Sequence, residues 1–235
     1  MFGGRAVSVV LPAFDEEASV GDAVRAFRAR PEVDEVVVAD NNSRDRTAAL
    51  AAAAGARVVP EARQGFGFAC RGGLGAARGG LLVLAEPDGT FRAEDLPRLL
   101  GALAGCDAVL GSRTDRVLHE PGARMTGVHR LGNVAVARLL RALHGGPVLS
   151  DVGCTYRVLT RAAWERIAPG LSVGGAPFIP EMTIALVRAG LRCVEVPVRF
   201  GPRCGESKFT GNLRGSVRVG WQMTRVIVSR WRRRR

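Results

Sequence analysis

Residues 6–20 read AVSVVLPAFDEEASV and residues 35–50 read EVVVADNNSRDRTAAL. In the first, residues 6–12 form a continuous apolar run ending in Pro12, the pattern of a strand. The run breaks into the polar loop Phe14-Asp15-Glu16-Glu17, after which Ala18, Val20, Ala23, Val24 and Phe27 recur at helical spacing. The second stretch repeats the order: a strand at Glu35–Ala39, the loop Asp40–Asp45, then an alanine-rich helix from Asp45 to Ala54 with Ser43 as its expected cap. Strand, loop and helix twice in succession predict a parallel sheet covered by helices.

The alternation continues outward. A short strand is expected at Arg57–Val59, another at Leu81–Ala85 after Gly79-Gly80, a helix at Ala93–Leu103 and a strand at Asp107–Leu110. Beyond about residue 114 the pattern loosens into a helix at Thr126–Leu143, a strand at Thr155–Leu159, a helix at Phe178–Ala189 and a strand at Cys193–Val198. No Ser- or Pro-rich linker divides the chain, so residues 1–212 are expected to form a single α/β domain. Its sheet should be Rossmann-like and mostly parallel, with helices on both faces. In residues 213–235, Leu213, Val217, Trp221, Thr224, Val228 and Trp231 share a helical stripe, Arg214, Arg218, Arg225 and Arg232 flank it, and Arg232–Arg235 follow. This reads as a C-terminal amphipathic helix with an arginine tail, packed on the sheet or lying on an anionic membrane surface.

With 47% hydrophobic and 24% charged residues, the 235-residue chain is neither disordered nor fibrous. Its longest charge-free stretch, Ile167–Pro180, contains three prolines and three glycines and is too short to span a bilayer. No basic segment and cleavage site precede the first strand, which argues against a secretory signal. Five scattered cysteines without a C-x-x-C fit a reducing cytoplasm. The net charge of +12, carried by arginine except for Lys208, predicts attraction to phosphates.

An open α/β sheet binds its ligand beyond the carboxyl ends of its strands. Three acidic loops should gather there: Phe14–Glu17, Asp40–Asp45 and Glu86-Pro87-Asp88-Gly89-Thr90. Carboxylates in the crevice of a basic protein suit a divalent cation bridging protein oxygens to a diphosphate, and Glu86 and Asp88 flank a stiffening proline where both can reach one ion. Other patterns carry less. Gly170–Gly174 matches a nucleophile elbow without the strand-turn-helix context. Gly65-Phe66-Gly67 lacks the third glycine of a dinucleotide fingerprint, since position 70 is Cys70, and reads as a loop near the nucleotide. His119, His129 and His144 are too scattered for a metal triad.

In order along the chain, VSVVLPAFDEEASV, EVVVADNNSRDRTAAL, RQGFGFACRGGLGAARGGLLVLAEPDGTF, DAVLGSR, SDVGCTYRVLTRAAWERI and RCGESK resemble the inverting family 2 glycosyltransferases of GT-A fold. They look most like the dolichyl-phosphate mannose synthase-like branch, which moves a sugar from a nucleotide-sugar to a polyprenyl phosphate. The resemblance implies a nucleotide-sugar-binding half at 1–113 and an acceptor-side half at 114–212. It implies that Pro12, Phe14 and Glu16 border the base, that Asp40 bonds base or ribose, and that Asn42 and Gly65 line the same nucleotide-sugar site. Glu86, Asp88 and Thr90 would hold Mg²⁺ or Mn²⁺. The family more often has Asp at the first of these positions and Gln at the third. Asp151 matches an acidic residue near the anomeric centre, and Arg113, Arg203 and Lys208 match basic groups that meet phosphates.

A phosphate acceptor is already anionic near neutral pH and needs no strong base. A hydroxyl acceptor needs a carboxylate to take its proton, with Asp151 the first candidate and Glu181 the second. The leading expectation is therefore a metal-dependent transfer from a GDP- or UDP-linked sugar to a polyprenyl phosphate, in the cytoplasm or peripherally at the inner face of the membrane. The alternative keeps the donor and uses a soluble hydroxyl acceptor such as a secondary metabolite. A nucleic-acid-binding role, raised by the charge, is disfavoured by 6% aromatic residues and the lack of a helix-turn-helix, zinc-finger or RNP pattern.

Overall fold

The apolar run at the start of the chain becomes a central strand of a seven-stranded sheet. A computed structural model describes residues 1–123, 125–205 and 213–232. Its strands are β1 (Val7–Ala13), β2 (Glu35–Asp40), β3 (Arg57–Pro60), β4 (Leu81–Leu84), β5 (Ala108–Ser112), β6 (Arg157–Thr160) and β7 (Cys193–Pro197), in the order β3-β2-β1-β4-β6-β5-β7. Every residue of β1 and β4 is buried, whereas the edge strands β3 and β7 are mostly half-buried. All neighbours run parallel except β6, which is antiparallel to β4 and β5.

Successive strand residues point to opposite faces, so each buried strand feeds two cores. Val7, Val9 and Leu11 meet Val24 and Phe27 of α1 (Val20–Arg28), Ala51 of α2 (Thr47–Ala53) and Leu96 and Leu99 of α4 (Leu96–Ala102). Val10, Leu82 and Leu84 meet Leu74 of α3 (Phe66–Ala76), Leu140 of α5 (Gly127–His144), Trp164 of α6 (Arg161–Ile167) and Met182 of α7 (Phe178–Arg188). The fold is the GT-A arrangement, a mostly parallel sheet between two helical layers.

Three local expectations change. Gly65-Phe66-Gly67, read as a loop, is the cap and first turn of helix α3. Glycine disfavours helix, but a Cβ at Gly73 would stand 2.4 Å from Val10 Cγ1, so its absence lets α3 lie close on β1. Ser43 does not cap α2: its Oγ accepts from Asp15 N at 3.0 Å, and Asp45 Oδ1 accepts from Thr47 N at 2.9 Å instead. The helix expected from Ala93 opens as a 3₁₀ turn, Ala93–Asp95, before α4.

The last helix, α8 (Leu213–Arg232), packs on α5 and α7. Among its described side chains the fully buried one is Ile227, which lies off the apolar stripe read from sequence, while Val217 and Trp221 on that stripe are exposed. Burial follows the neighbours: His144 Nε2 lies 2.9 Å from the Ile227 carbonyl, and His129 Nε2 lies 2.9 Å from Ser216 Oγ.

Candidate active site

Chain order opens the crevice. From β1 the chain moves outward to β2 and β3, then returns to β4 on the other side of β1, so the loops leaving β1 and β4 part in opposite directions. The β1–β4 ladder ends at Val10 opposite Leu84, and Pro12, lacking an N–H, sits beyond it where β1 has lost that neighbour.

On one wall, the loops after β1 and β2 are stitched together. Asp15 Oδ1 accepts from Arg44 N at 2.7 Å, Thr47 Oγ1 accepts from Glu16 N at 2.7 Å, and Asp45 Oδ2 accepts from Glu17 N at 3.1 Å. Asp15 (φ 50°) and Asn42 (φ 63°) take the left-handed conformation, which Asp and Asn tolerate best after glycine. Asp40, at the end of β2 opposite Ala13, keeps a buried Oδ1 without a hydrogen-bond partner. Asn42 Nδ2 donates to the Ala62 carbonyl at 3.1 Å and to Gln64 Oε1 at 3.2 Å.

The buried neighbour Asn41, which sequence reading passed over, organises this wall. Its Nδ2 donates to the carbonyls of Glu61 (3.0 Å) and Arg63 (2.8 Å), and its Oδ1 accepts from Gly65 N at 2.7 Å. Gly65 (φ 147°) then lets the chain run against residues 173–174, where a Cβ would stand 2.3 Å from the Gly174 carbonyl oxygen. No local pattern marks it, because its partners Glu61, Arg63 and Gly65 lie 20, 22 and 24 residues further along the chain.

The opposite wall is built by β6. Because β6 runs antiparallel beside β4, with Leu84 opposite Arg157, the residues before it are carried to the carboxyl end of β4. There Thr155 Oγ1 donates to Glu86 Oε1 at 2.6 Å. Asp88, 1% exposed, has its Oδ1 held by Thr90 N (3.0 Å) and Thr90 Oγ1 (2.6 Å). Thr90 therefore positions Asp88 by donating its hydroxyl proton. One oxygen of each carboxylate is anchored, and the other two, Glu86 Oε2 and Asp88 Oδ2, converge on Arg203 Nη1 at 3.7 and 2.7 Å. The same guanidinium reaches Glu16 Oε1 with Nη2 at 3.2 Å, bridging the β1 and β4 loops. A strap holds it there: Gly201 N donates to the Thr90 carbonyl and Cys204 N to that of Asp88, at 2.9 and 2.8 Å. Burial, then the neighbouring Asp88 carboxylate, pushes the Glu86 carboxyl up to about 7.

Two oxygens meeting at a point already held by a cationic group are a donor set that fits a divalent ion. No cluster of three or more His, Cys, Asp or Glu ligands occurs among the described residues, so such an ion would take its remaining ligands from a diphosphate and water.

Asp151 and Glu181, expected as proton acceptors, are both occupied. Asp151 is buried and accepts from Arg113 Nε (2.8 Å), Nη2 (3.0 Å) and N (3.1 Å) and from Gly153 N (3.1 Å). Burial alone would raise its pKa, but the Arg113 charge and these bonds outweigh it and lower it, making it a weak base. Glu181 lies in the first turn of α7, takes the N–H groups of Ser172 and Val173, and pairs with Arg230 of α8. It fixes the 171–174 loop. Lys208 lies outside the described residues. Arg157, assigned no role from sequence, is fully buried and donates to the carbonyls of Cys154 (2.8 Å), Val152 (3.1 Å) and Ile179 (3.2 Å) and to Thr183 Oγ1 (2.8 Å). Those bonds hold the turn that carries Asp151 against α7.

The model of the glycosyl transferase family 2 matches residues 8–167. An uncharacterized glycosyltransferase of Mycobacterium tuberculosis is 39% identical over 217 residues, 91% of this chain and 94% of that one. An undecaprenyl-phosphate mannosyltransferase of Micrococcus luteus is 31% identical over 239 residues, 96% and 93% of the two chains. Glucosyl-3-phosphoglycerate synthase from Mycobacterium tuberculosis, solved with Mn²⁺, uridine-diphosphate-glucose and phosphoglyceric acid, superposes with a TM-score of 0.75 at 25% identity, covering 97% of this chain and 80% of that one.

Proposed function

Because the chain belongs to the glycosyl transferase family 2, we propose that it moves a hexosyl group from a nucleoside diphosphate sugar, UDP-linked by analogy with the synthase complex, to a phosphate-bearing acceptor. One observation carries the reading: anionic oxygens and guanidinium groups meet at the switch point of the sheet, and the carboxylate nearest in motif to a general base is closed in an ion pair. Glu86 and Asp88 would hold Mg²⁺ or Mn²⁺, which when bound neutralises charge on the diphosphate.

The chain's own residues divide the remaining work. Asp40, with its buried free oxygen, accepts from base or ribose, and Pro12, Phe14, Glu16, Asn42 and Gly65 shape the surrounding wall. Arg203 moves from carboxylates to the leaving diphosphate, where a preorganised guanidinium stabilises the developing charge. Arg113, oriented by Asp151 and lying 5.5 Å above the Phe200 ring, presents a cation on the acceptor side.

With Asp151 paired, the acceptor must supply its own base or need none. A soluble phosphorylated acceptor brings a phosphate with a second pKa of about 6 that can take the hydroxyl proton. The synthase complex, solved with phosphoglyceric acid as well as uridine-diphosphate-glucose, supports this class. The polyprenyl phosphate class is favoured by the undecaprenyl-phosphate relative, and there the phosphate oxygen is itself the nucleophile. Incubation with Mn²⁺ and labelled UDP-glucose or GDP-mannose, with 3-phosphoglycerate in one arm and a short polyprenyl phosphate in the other, separates them. Label is expected in an anionic aqueous product, label in the organic phase assigns the lipid class, and transfer only to unphosphorylated hydroxyl compounds would overturn the proposal.

The raised pKa of Glu86 gives a pH dependence. Below pH 7 the ion must displace one proton, so Mn²⁺ affinity of the nucleotide-free protein should climb about tenfold per pH unit towards pH 7 and then level off. Calorimetric titration between pH 5.5 and 8 checks this, and Glu86→Gln should flatten the curve.

A further inference from the structure

One face of α8 is part of the fold and the other is left in water. Ser216, Ile227 and Arg230 face α5 and α7 through the bonds to His129 and His144 and the pair with Glu181. On the other side Arg214, Val217, Arg218, Trp221 and Arg225 are all exposed, with Val217 at 64% and Trp221 at 61%. The Arg225 guanidinium lies 5.5 Å over the Trp221 ring, so the aromatic and cationic groups form one patch. Neither α8 nor its neighbour α5 contains an Asp or Glu, and α5 adds the exposed Arg130, Arg138 and Arg141.

We propose that this face of α8 docks on the surface of an anionic lipid bilayer. A tryptophan and an aliphatic side chain one turn apart, rimmed by arginines and free of acidic residues, match an interfacial helix: the apolar groups enter the headgroup boundary and the arginines meet lipid phosphates. Charge complementarity selects this occupant. A second copy would bring arginines against arginines with no carboxylate between them, and a nucleic acid would pair the arginines but give Val217 nothing to bury against. Only residues 206–212 separate α8 from Gly205, so its N-terminal end stays within about 28 Å of the strap that carries Arg203. The inference goes beyond the sugar-transfer reading and holds for either acceptor class.

Since Ile227 and the Glu181–Arg230 pair belong to the core, surface substitutions test the face more cleanly than deletion of α8. The full chain is mixed with phosphatidylcholine vesicles containing 30% phosphatidylglycerol, or none, at low salt, and sedimentation is measured with tryptophan emission. Binding is expected to the anionic vesicles only, with a blue shift of emission. Val217→Ser/Trp221→Ser should abolish the shift and weaken binding at least tenfold, with unchanged circular dichroism and donor affinity. Arg214→Gln/Arg218→Gln/Arg225→Gln should weaken it roughly a hundredfold, at about fivefold per basic residue. Wild-type protein that ignores anionic vesicles at low salt overturns the proposal. So does vesicle binding that survives both variants, a concentration-dependent dimer lost in the Ser variant, or tighter binding to duplex DNA than to the vesicles.

Discussion

Asp88→Asn is expected to lower kcat/KM for sugar transfer by at least roughly a thousandfold, a loss of about 4 kcal/mol in transition-state stabilisation. The substitution is chosen for what it keeps. An asparagine retains the volume of Asp88 and an oxygen to accept from Thr90 N and Oγ1, so the turn stays in place. What disappears is the negative charge and the outward Oδ2, which faces the Arg203 guanidinium at 2.7 Å. Without it the diphosphate loses half of the carboxylate pair proposed to hold its cation, and Glu86 alone supplies one ligand. Donor binding in the presence of Mn²⁺, followed by calorimetry, should weaken in parallel. Full transfer in excess EDTA, or an Asp88→Asn enzyme with normal turnover, would remove this turn from the mechanism.

Arg203→Met should produce two changes of opposite sign. Arg203 touches Glu16, Glu86 and Asp88, standing where two carboxylate oxygens converge. Removing it frees those oxygens, so Mn²⁺ should bind the nucleotide-free variant more tightly than wild type. The leaving diphosphate, in contrast, loses a charged donor, and kcat/KM should fall about a hundredfold or more. Methionine keeps the apolar stem, so the strap bonds from Gly201 and Cys204 to the Asp88 turn can persist. If Mn²⁺ affinity and turnover both fell, Arg203 would be holding the metal turn together rather than exchanging between carboxylates and phosphate.

Much of the site was legible because its chemistry is local in the chain. Glu86 and Asp88 stand two residues apart on the turn leaving a strand, and both carboxylates do converge. Asp40 ends a strand, so its place beside the β1 loop follows from the parallel register of β1 and β2. Asp151 and Glu181 were harder. A carboxylate in a polar motif reads as a base from composition, but whether it can take a proton depends on what lies opposite, and Arg113 and Arg230 come from 38 and 49 residues away. Asn41 and Arg157 were missed for a related reason: Asn41 bonds the carbonyls of Glu61 and Arg63, 20 and 22 residues away, and Arg157 ties the nearby carbonyls of Val152 and Cys154 to Ile179, 22 residues on, roles that leave no local periodicity.

The elements and the class of fold are written in the chain, since apolar runs of strand length and helical stripes record which faces must leave water. So are the loops that collect at the carboxyl ends of β1, β2 and β4. Tertiary structure decided the rest. The antiparallel insertion of β6 between β4 and β5 brings Thr155 and Asp151 to the crevice, and it depends on pairing energies between strands that no local pattern encodes. Likewise an amphipathic stripe states that a helix has an apolar face but not which neighbour covers it. Packing on α5 and α7 buried Ile227 and left Val217 and Trp221 in water, because a helix turns towards the partners that fill its surface and not towards the mean of its own hydrophobicity.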